Sequence, residues 1–229
     1  APALARALTA RVKVMADEAG IRSNINELQL DCDWTASTKD TYFAVLREVK
    51  SLGIGTPVNV SSTIRLHQIK YRKAMGVPPV DRGMLMIYNV HSPKEFAAKN
   101  DIYDASAERY LRHLPGYPLT LDIAVPVYAQ CRQFGCRSNF IRLMNDVRVR
   151  DIPEGDAAPI AQNRYRAVND TMLAGRRIMK NDILVVDETD LTAALSIART
   201  FRRYKNGDGK NEQRIALYHY DRYARGLSP

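Results

Sequence analysis

Apolar residues return along this chain in two rhythms that take turns. Between Ala3 and Ala19, the residues Leu4, Leu8, Val12, Met15 and Ala19 recur at helical spacing, and Gly20 follows as a terminator. From Leu28 to Asp33 the period drops to two, so Gln29, Asp31 and Asp33 share one face of a short strand. Thr38 to Leu52 predicts a second helix, with Phe43, Leu46 and Val49 on its stripe and Gly53 after it. Pro57 to Leu66 and Met84 to Val90 read as strands, and Asp104 to Leu114 as a helix closed by Pro115-Gly116. Leu119 to Tyr128 reads as a long apolar strand.

Strand and helix in alternation predict an α/β fold with a parallel sheet and covering helices. Runs such as Ile123-Ala124-Val125 suit strands buried on both faces. After Tyr128 the pattern changes. Gln130 to Val149 predicts a hairpin turning near Gly135 and Asn139, and Asp151 to Asn163, with Pro153, Gly155 and Pro159, reads as a loop. Arg164 to Leu184 fits neither rhythm. Ile183 to Val186 predicts a short strand, and Asp187 or Thr189 a cap for a helix with Leu191, Leu195, Ala198 and Phe201 on its apolar side. Asn206 to Gly209 reads as a turn, and Ile215 to Asp221 as the last strand. The expected architecture is a (β/α)-barrel type of fold, one domain over 1–229 with a β-hairpin inserted at 130–150. It opens on a helix and ends on a strand, as the later part of a larger barrel would.

Length sharpens this expectation. The chain has 229 residues, slightly short of the roughly 250 typical of an eight-stranded barrel. With 45% hydrophobic and 26% charged residues, the composition excludes disordered and low-complexity classes. The apolar runs are far shorter than the roughly 20 residues that span a bilayer. The net charge of +9 comes from basic pairs scattered along the chain (Arg72-Lys73, Arg176-Arg177, Arg202-Arg203). That reads as a solvated basic surface rather than a nucleic-acid site.

The three cysteines lack zinc-ligand spacing. Cys131 and Cys136 read equally as a disulfide across the hairpin or as free thiols. Asn206-Gly207-Asp208-Gly209 resembles part of a calcium loop but lacks its closing acid. No metal or other cofactor is indicated. The chain begins Ala1-Pro2 without a methionine, which reads as a processed or truncated form.

The candidate chemistry lies at predicted strand ends. Asp31 and Asp33 are two carboxylates two residues apart, where an α/β barrel places its active site. Burial and mutual repulsion there would raise one pKa and let it act as an acid; the other reading is a hydrogen-bonded pair that holds loops. Tyr88 and Asn89 end one strand, and Tyr128 ends another. Their polar groups suit a sugar or a developing oxyanion, while a packed tyrosine needs no such role. Asp122 reads equally as a ligand or as a buried structural acid. Trp34 reads equally as a stacking platform or as packing. His219, between Tyr218 and Tyr220, reads first as packing.

Together these motifs resemble the chitinase-type glycoside hydrolases. That family is a barrel with D-x-x-D-x-D-x-E on its fourth strand, M-x-Y-D or M-x-Y-N on its sixth and L-G-x-P-x-Y-G on its seventh. Here the first motif aligns as Leu28, Asp31, Asp33 and Thr35, the second as Met86-Ile87-Tyr88-Asn89, and the third as Ile123 to Ala129. A closer resemblance is to bacterial glycosidase-like barrel proteins of a domain family without assigned function, over nearly the whole chain.

The resemblance implies strands four to eight of a barrel and a carbohydrate ligand. It also implies Asp31, Asp33 and Asp122 as candidate acids, and Gln29, Trp34, Tyr88, Asn89, Tyr128 and Tyr218 as ligand contacts. An exported bacterial protein, periplasmic or cell-surface, fits it best. Thr35 stands where the family's acid belongs and cannot protonate a leaving group. Two functions therefore compete: a glycoside hydrolase using strand-end carboxylates, and a catalytically silent carbohydrate-binding barrel. A nucleic-acid or anionic-surface binder rests on charge alone. The strand count further implies a missing amino-terminal segment, or a second chain, to complete the barrel.

Overall fold

The predicted alternation folds into one five-stranded parallel sheet in a computed structural model that describes residues 1–205 and 213–219. In chain order the elements are α1 (Pro2–Glu18), β1 (Glu27–Leu30), α2 (Lys39–Leu52) and β2 (Asn59–Arg65). Two short helices, α3 (Leu66–Lys70) and α4 (Arg72–Met75), lead to β3 (Arg82–Met86), α5 (Glu108–Leu111) and β4 (Leu121–Pro126). Then come β5 (Ala129–Phe134), β6 (Phe140–Asn145), β7 (Ala157–Ala161), β8 (Arg164–Ala167), β9 (Thr171–Leu173) and β10 (Arg176–Ile178). The described chain closes with β11 (Ile183–Glu188), α6 (Leu191–Lys205) and β12 (Ile215–Tyr218).

The parallel sheet runs β1-β2-β3-β4-β12. Leu28 registers with Val60, and Thr63 with Met84. The Gly83 N–H donates to the Thr120 carbonyl and the Ile87 N–H to that of Ala124, equal steps of four that define β3 and β4 as parallel. The same step joins Ile123 to Arg214 and Val127 to Tyr218. Glycine at 83 leaves room for the side-chain ends of Ile64 and Leu121, which a Cβ there would force to shift.

The chain gathers into two compact units. Of the described residues, the first takes 1–86, 109–123, 202–205 and 213–215, and the second takes 87–108, 124–201 and 216–219.

In the first unit, α2 buries Tyr42, Phe43, Val45, Leu46 and Val49. The α1 helix presents Ala5, Thr9 and Ala16 inward and leaves Leu4, Leu8 and Met15 exposed, so its predicted apolar stripe is not its buried face. The helix expected over Asp104 to Leu114 is shorter. Asp104 caps a 3-10 turn by accepting from the Ser106 N–H, and α5 then closes through i→i+3 bonds from His113 and Leu114.

In the second unit the expected hairpin is β5 with β6, and it is one part of an antiparallel sheet ordered β6-β5-β11-β8-β7. The segment expected as a loop contains β7. Pro159 is tolerated there because β7 is an edge strand. The segment that matched neither rhythm forms β8 to β10. Cys131, Met144, Leu184 and Val186 form part of this unit's core.

The cap of α6 is Asp190, which accepts from the Ala193 N–H, rather than Asp187 or Thr189. On α6 itself Ala194, Ile197, Ala198 and Phe201 are buried, while Leu191 and Leu195 are exposed. Cys131 is buried, Cys136 exposed, and both are free thiols. The Asn206 to Gly209 turn and the end of the last predicted strand, Tyr220 and Asp221, lie outside the described residues.

Candidate functional site

Each tyrosine of the second unit's candidate site is delivered by the carboxyl end of a strand. β3 ends at Met86, two residues before Tyr88; β4 ends at Pro126, two before Tyr128; and Tyr218 is the last residue of β12. Their rings form one cluster. Tyr88 and Tyr218 stack with centroids 4.5 Å apart and planes 4° from parallel. Tyr128 stands edge-on to both, at 6.4 Å from Tyr88 and 5.7 Å from Tyr218, the edge-to-face geometry that aromatic quadrupoles favour. Tyr128 is buried, Tyr88 half-buried and Tyr218 exposed.

Polar groups fix this cluster. The Tyr128 hydroxyl donates to Asn89 Oδ1 at 2.8 Å. Asn89 holds φ at +53°, a left-handed conformation that asparagine tolerates better than most side chains. His219 stacks on Tyr128 at 5.3 Å, and its Nε2 lies 3.6 Å from Asp146 Oδ1. Asp146 is itself held at φ +58°, with its N–H donating to the Ala129 carbonyl. Burial raises the Tyr128 pKa, and the charges of Asp101 and Asp187 raise it further. Tyr128 is therefore a neutral donor.

The same second unit holds a buried ionic network that the sequence reading missed. Arg132 is fully buried and donates to both Asp187 oxygens, at 2.5 and 3.0 Å. Its remaining N–H groups reach the carbonyls of Glu95 and Ala98. Gln130 donates to Asp101 at 2.6 Å, and Asp187 is hydrogen-bonded to Asp101 as well. Burial pushes the Asp187 pKa up. Arg132 opposes that shift and Asp101 adds to it, so Asp187 rises to about 7. Arg132, the one charged residue of β5, and Asp187, directly after the apolar run of β11, were each visible singly but not as a pair.

The first unit holds the predicted carboxylates just past the end of β1. Asp31 Oδ1 accepts from Thr63 Oγ1 at 2.7 Å. Asp33 is exposed and takes both donors of the Arg65 guanidinium side, Nε and Nη2. Gln29 donates to Ser61 Oγ at 3.3 Å. Burial, followed by the charges of Asp33 and Asp31, raises the Cys32 thiol pKa, so Cys32 is a weak nucleophile. Thr35 is exposed and bonds to Ser37 and Thr38.

Two sequence-based assignments are corrected. Trp34 is only 1% exposed, its Nε1 donates to the Met75 carbonyl at 2.8 Å, and it stacks on Tyr42. It is a core residue with no face for a ligand. Asp122 is the second residue of β4, buried in a bidentate pair with Arg82 at 2.6 and 2.9 Å and bonded to the Arg214 N–H. Burial alone would raise its pKa, but Arg82 and the Arg214 N–H hold it below the usual carboxylate range. It is a structural ion-pair partner and not an acid. Asp31, Asp33 and Gln29 thus belong to the first unit, and Tyr88, Asn89, Tyr128 and Tyr218 to the second.

Among the described residues, no three His, Cys, Asp or Glu side chains gather as a metal-binding group. No described helix is long and apolar enough to cross a membrane.

No family model and no curated protein sequence matches this chain. Solved structures do. The chain is similar to a chitinase-like agglutinin from Robinia pseudoacacia (12% identity, TM-score 0.51), covering 93% of this chain and 68% of the other. It is similar to the spore cortex-lytic enzyme SleL of Bacillus cereus (13% identity, TM-score 0.54), covering 92% of this chain and 48% of that one. It is also similar to a chitinase from Chromobacterium violaceum (9% identity, TM-score 0.54), covering 92% and 65%. The chain thus spans about half the length of the cortex-lytic enzyme and about two thirds of the other two. The fold is distantly that of the chitinase-type glycoside hydrolases, shared as a fold at this level of identity.

Proposed function

We propose that this chain is a carbohydrate-active barrel protein that binds a glycan against the Tyr88, Tyr128 and Tyr218 cluster. The carrying observation is the convergence of three tyrosines from three strand ends, one buried and polar-tipped, one half-buried and one open to solvent. A pyranose ring offers C–H groups on its faces and hydroxyls at its rim. An exposed tyrosine ring packs on the former, and the Tyr88 hydroxyl and Asn89 amide suit the latter. Neighbours of the fold that are named as a chitinase, a chitinase-like agglutinin and a cortex-lytic enzyme support a polysaccharide of the amino-sugar class.

Within the first unit taken by itself, Asp31 is the carboxyl best suited to acid work. A single side-chain hydroxyl from Thr63 orients it, and proton transfer needs a positioned group of this kind. Asp33 is already engaged through both oxygens by the Arg65 guanidinium, which occupies the place a leaving-group oxygen would need. This ion pair, together with Thr35 at the family's acid position, favours the second reading, a binder without turnover.

One experiment separates the two readings. Chitin oligosaccharides and peptidoglycan fragments are titrated against wild type and Asp31→Asn, and reducing ends released are measured in parallel. An enzyme loses release in the variant and keeps binding. A silent binder shows binding in both proteins and release in neither. Absence of binding to either glycan by the wild type contradicts the proposal.

A further inference from the structure

The first unit carries a basic surface that takes no part in the function proposed above. It lies on two crossovers in the middle of the parallel sheet: α3 and α4 join β2 to β3, and α5 lies between β3 and β4. Residues 66–80 include Lys70, Arg72 and Lys73 and no acidic residue, and residues 109–121 include Arg109 and Arg112 and again none. The fold brings these two stretches together. Lys70 Nζ lies 5.0 Å from the ring centre of Tyr71 and 5.6 Å from that of Tyr110, and the Arg109 guanidinium carbon lies 4.8 Å from the Tyr110 centre. Cations from both stretches thus share one tyrosine ring. Tyr71, Arg72, Lys73 and Arg109 are exposed.

The arginines of this chain show which anion fits. Arg65 on Asp33, Arg82 on Asp122 and Arg132 on Asp187 each grip one carboxylate through the same edge of the guanidinium, Nε and Nη2. Arg72 is placed differently. Its Nη1 donates to the Gly116 carbonyl at 2.7 Å, which fixes the guanidinium, and its Nε and Nη2 meet no acceptor among the described residues. Lys70 and Lys73 likewise have no carboxylate partner among the described residues. A fixed fork of two parallel N–H groups matches the two oxygens of a carboxylate.

One carboxylate on an exposed cation gains little. A polymer that repeats its carboxylates engages Arg72, Lys73 and Lys70 together, and the second and third contacts are then intramolecular. Nucleic acid suits this surface less well. Single strands bind by stacking bases on aromatic rings, and here both tyrosine rings already carry cations.

We propose that the surface formed by Lys70, Arg72 and Lys73 is a binding site for a carboxylate-bearing glycan, a polymer of the uronate type. Only the choice of a glycan over an acidic polypeptide rests on the function proposed above.

The test titrates the full chain, by calorimetry, with four probes of matched length: oligogalacturonate, its neutral methyl ester, oligoglutamate and single-stranded DNA. Oligogalacturonate is expected to bind at least tenfold tighter than each of the others. Arg72→Lys keeps the charge and loses the fork, and is expected to weaken that binding at least fivefold. Lys73→Gln, at an exposed side chain, is expected to weaken it at least threefold and to leave binding of chitin oligosaccharides unchanged. Equal binding of the methyl ester, equal or tighter binding of oligoglutamate or DNA, or full affinity in both variants overturns the proposal. So does loss of oligogalacturonate binding in Tyr218→Ala, since the ligand would then sit at the tyrosine cluster. Oligogalacturonate binding that these two variants weaken, in a protein that binds no chitin oligosaccharide or peptidoglycan fragment, supports this site and contradicts the tyrosine one.

Discussion

Tyr88 and Tyr218 lie face to face, their ring centroids 4.5 Å apart and their planes within 4°. The two residues are separated by 130 positions in the chain, and the parallel sheet brings them together. Because Tyr218 is exposed, this stacked pair keeps an aromatic face open to solvent rather than sealing a core. What holds it in place is the edge-on ring of Tyr128, and the supports of Tyr128 are where mutation will be most informative.

Asn89 and Tyr128 act as a unit. Tyr128→Phe removes a hydrogen bond to Asn89 Oδ1 and is expected to cost about 1 kcal/mol in urea unfolding. Asn89→Gly keeps the left-handed backbone at low cost and loses the same bond, whereas Asn89→Ala also strains the φ of +53° and costs about 1 kcal/mol more. Combining Tyr128→Phe with Asn89→Gly should therefore cost less than the sum of the two. Strict additivity would show that the pair is not coupled.

Trp34 separates stability from binding. It is buried against Tyr42 and Phe43, so Trp34→Ala is expected to lower stability by about 3–5 kcal/mol. Trp34→Phe keeps much of the packing, and a folded Trp34→Phe protein is expected to bind glycan as the wild type does. A selective loss of glycan affinity in that variant would return Trp34 to the ligand site.

Arg132 is the cation on which the buried network of the second unit rests. Arg132→Met leaves Asp187 and Asp101 without their countercharge and frees the carbonyls of Glu95 and Ala98. The expected loss is about 3–5 kcal/mol, read from denaturant midpoints. Replacing Asp187 with Leu in the same protein should recover part of it, because the buried carboxyl left without its donors is then gone. A cost below 1 kcal/mol for Arg132→Met would mean that water reaches the network.

The same network makes stability depend on pH. The Asp187 pKa is pushed up to about 7 in the folded chain, above the ordinary carboxylate value of 3.8. Between those values the folded state retains a proton that the unfolded state has released, so stability falls as pH rises through this window. The loss is expected to accumulate between about pH 4 and 7. Asp187→Asn should flatten that slope when unfolding free energies are measured at each pH. A wild-type profile that rises across the window would reverse the assignment.

How much of this was legible beforehand follows from the kind of interaction involved. The five parallel strands were readable because β1, β2, β3, β4 and β12 each carry a local apolar rhythm, and periodicity is a local property. The edge strand β7 was not readable: Pro159 reads as a loop signal unless the strand's edge position is known. Tyr88, Asn89, Tyr128 and Tyr218 could be named from strand ends, yet their stacking depends on sheet register across the whole chain. Trp34 and Asp122 show the opposite limit. Each carries the right chemistry at a plausible position, and only the Met75 carbonyl and the Arg82 guanidinium reveal that it is already engaged. Arg132 and Asp187 pair across 55 residues, and no local pattern reports such a pair.

The central claim is that the tyrosine cluster is a glycan-binding surface. Calorimetric titration of chitin oligosaccharides and peptidoglycan fragments into wild type, Tyr218→Phe and Tyr218→Ala tests it most directly. Tyr218 is largely outside the core, so all three proteins should fold. The account predicts binding by the wild type, near-equal binding by Tyr218→Phe, and at least a tenfold loss in Tyr218→Ala, about 1.4 kcal/mol. Wild-type affinity retained in Tyr218→Ala would contradict it.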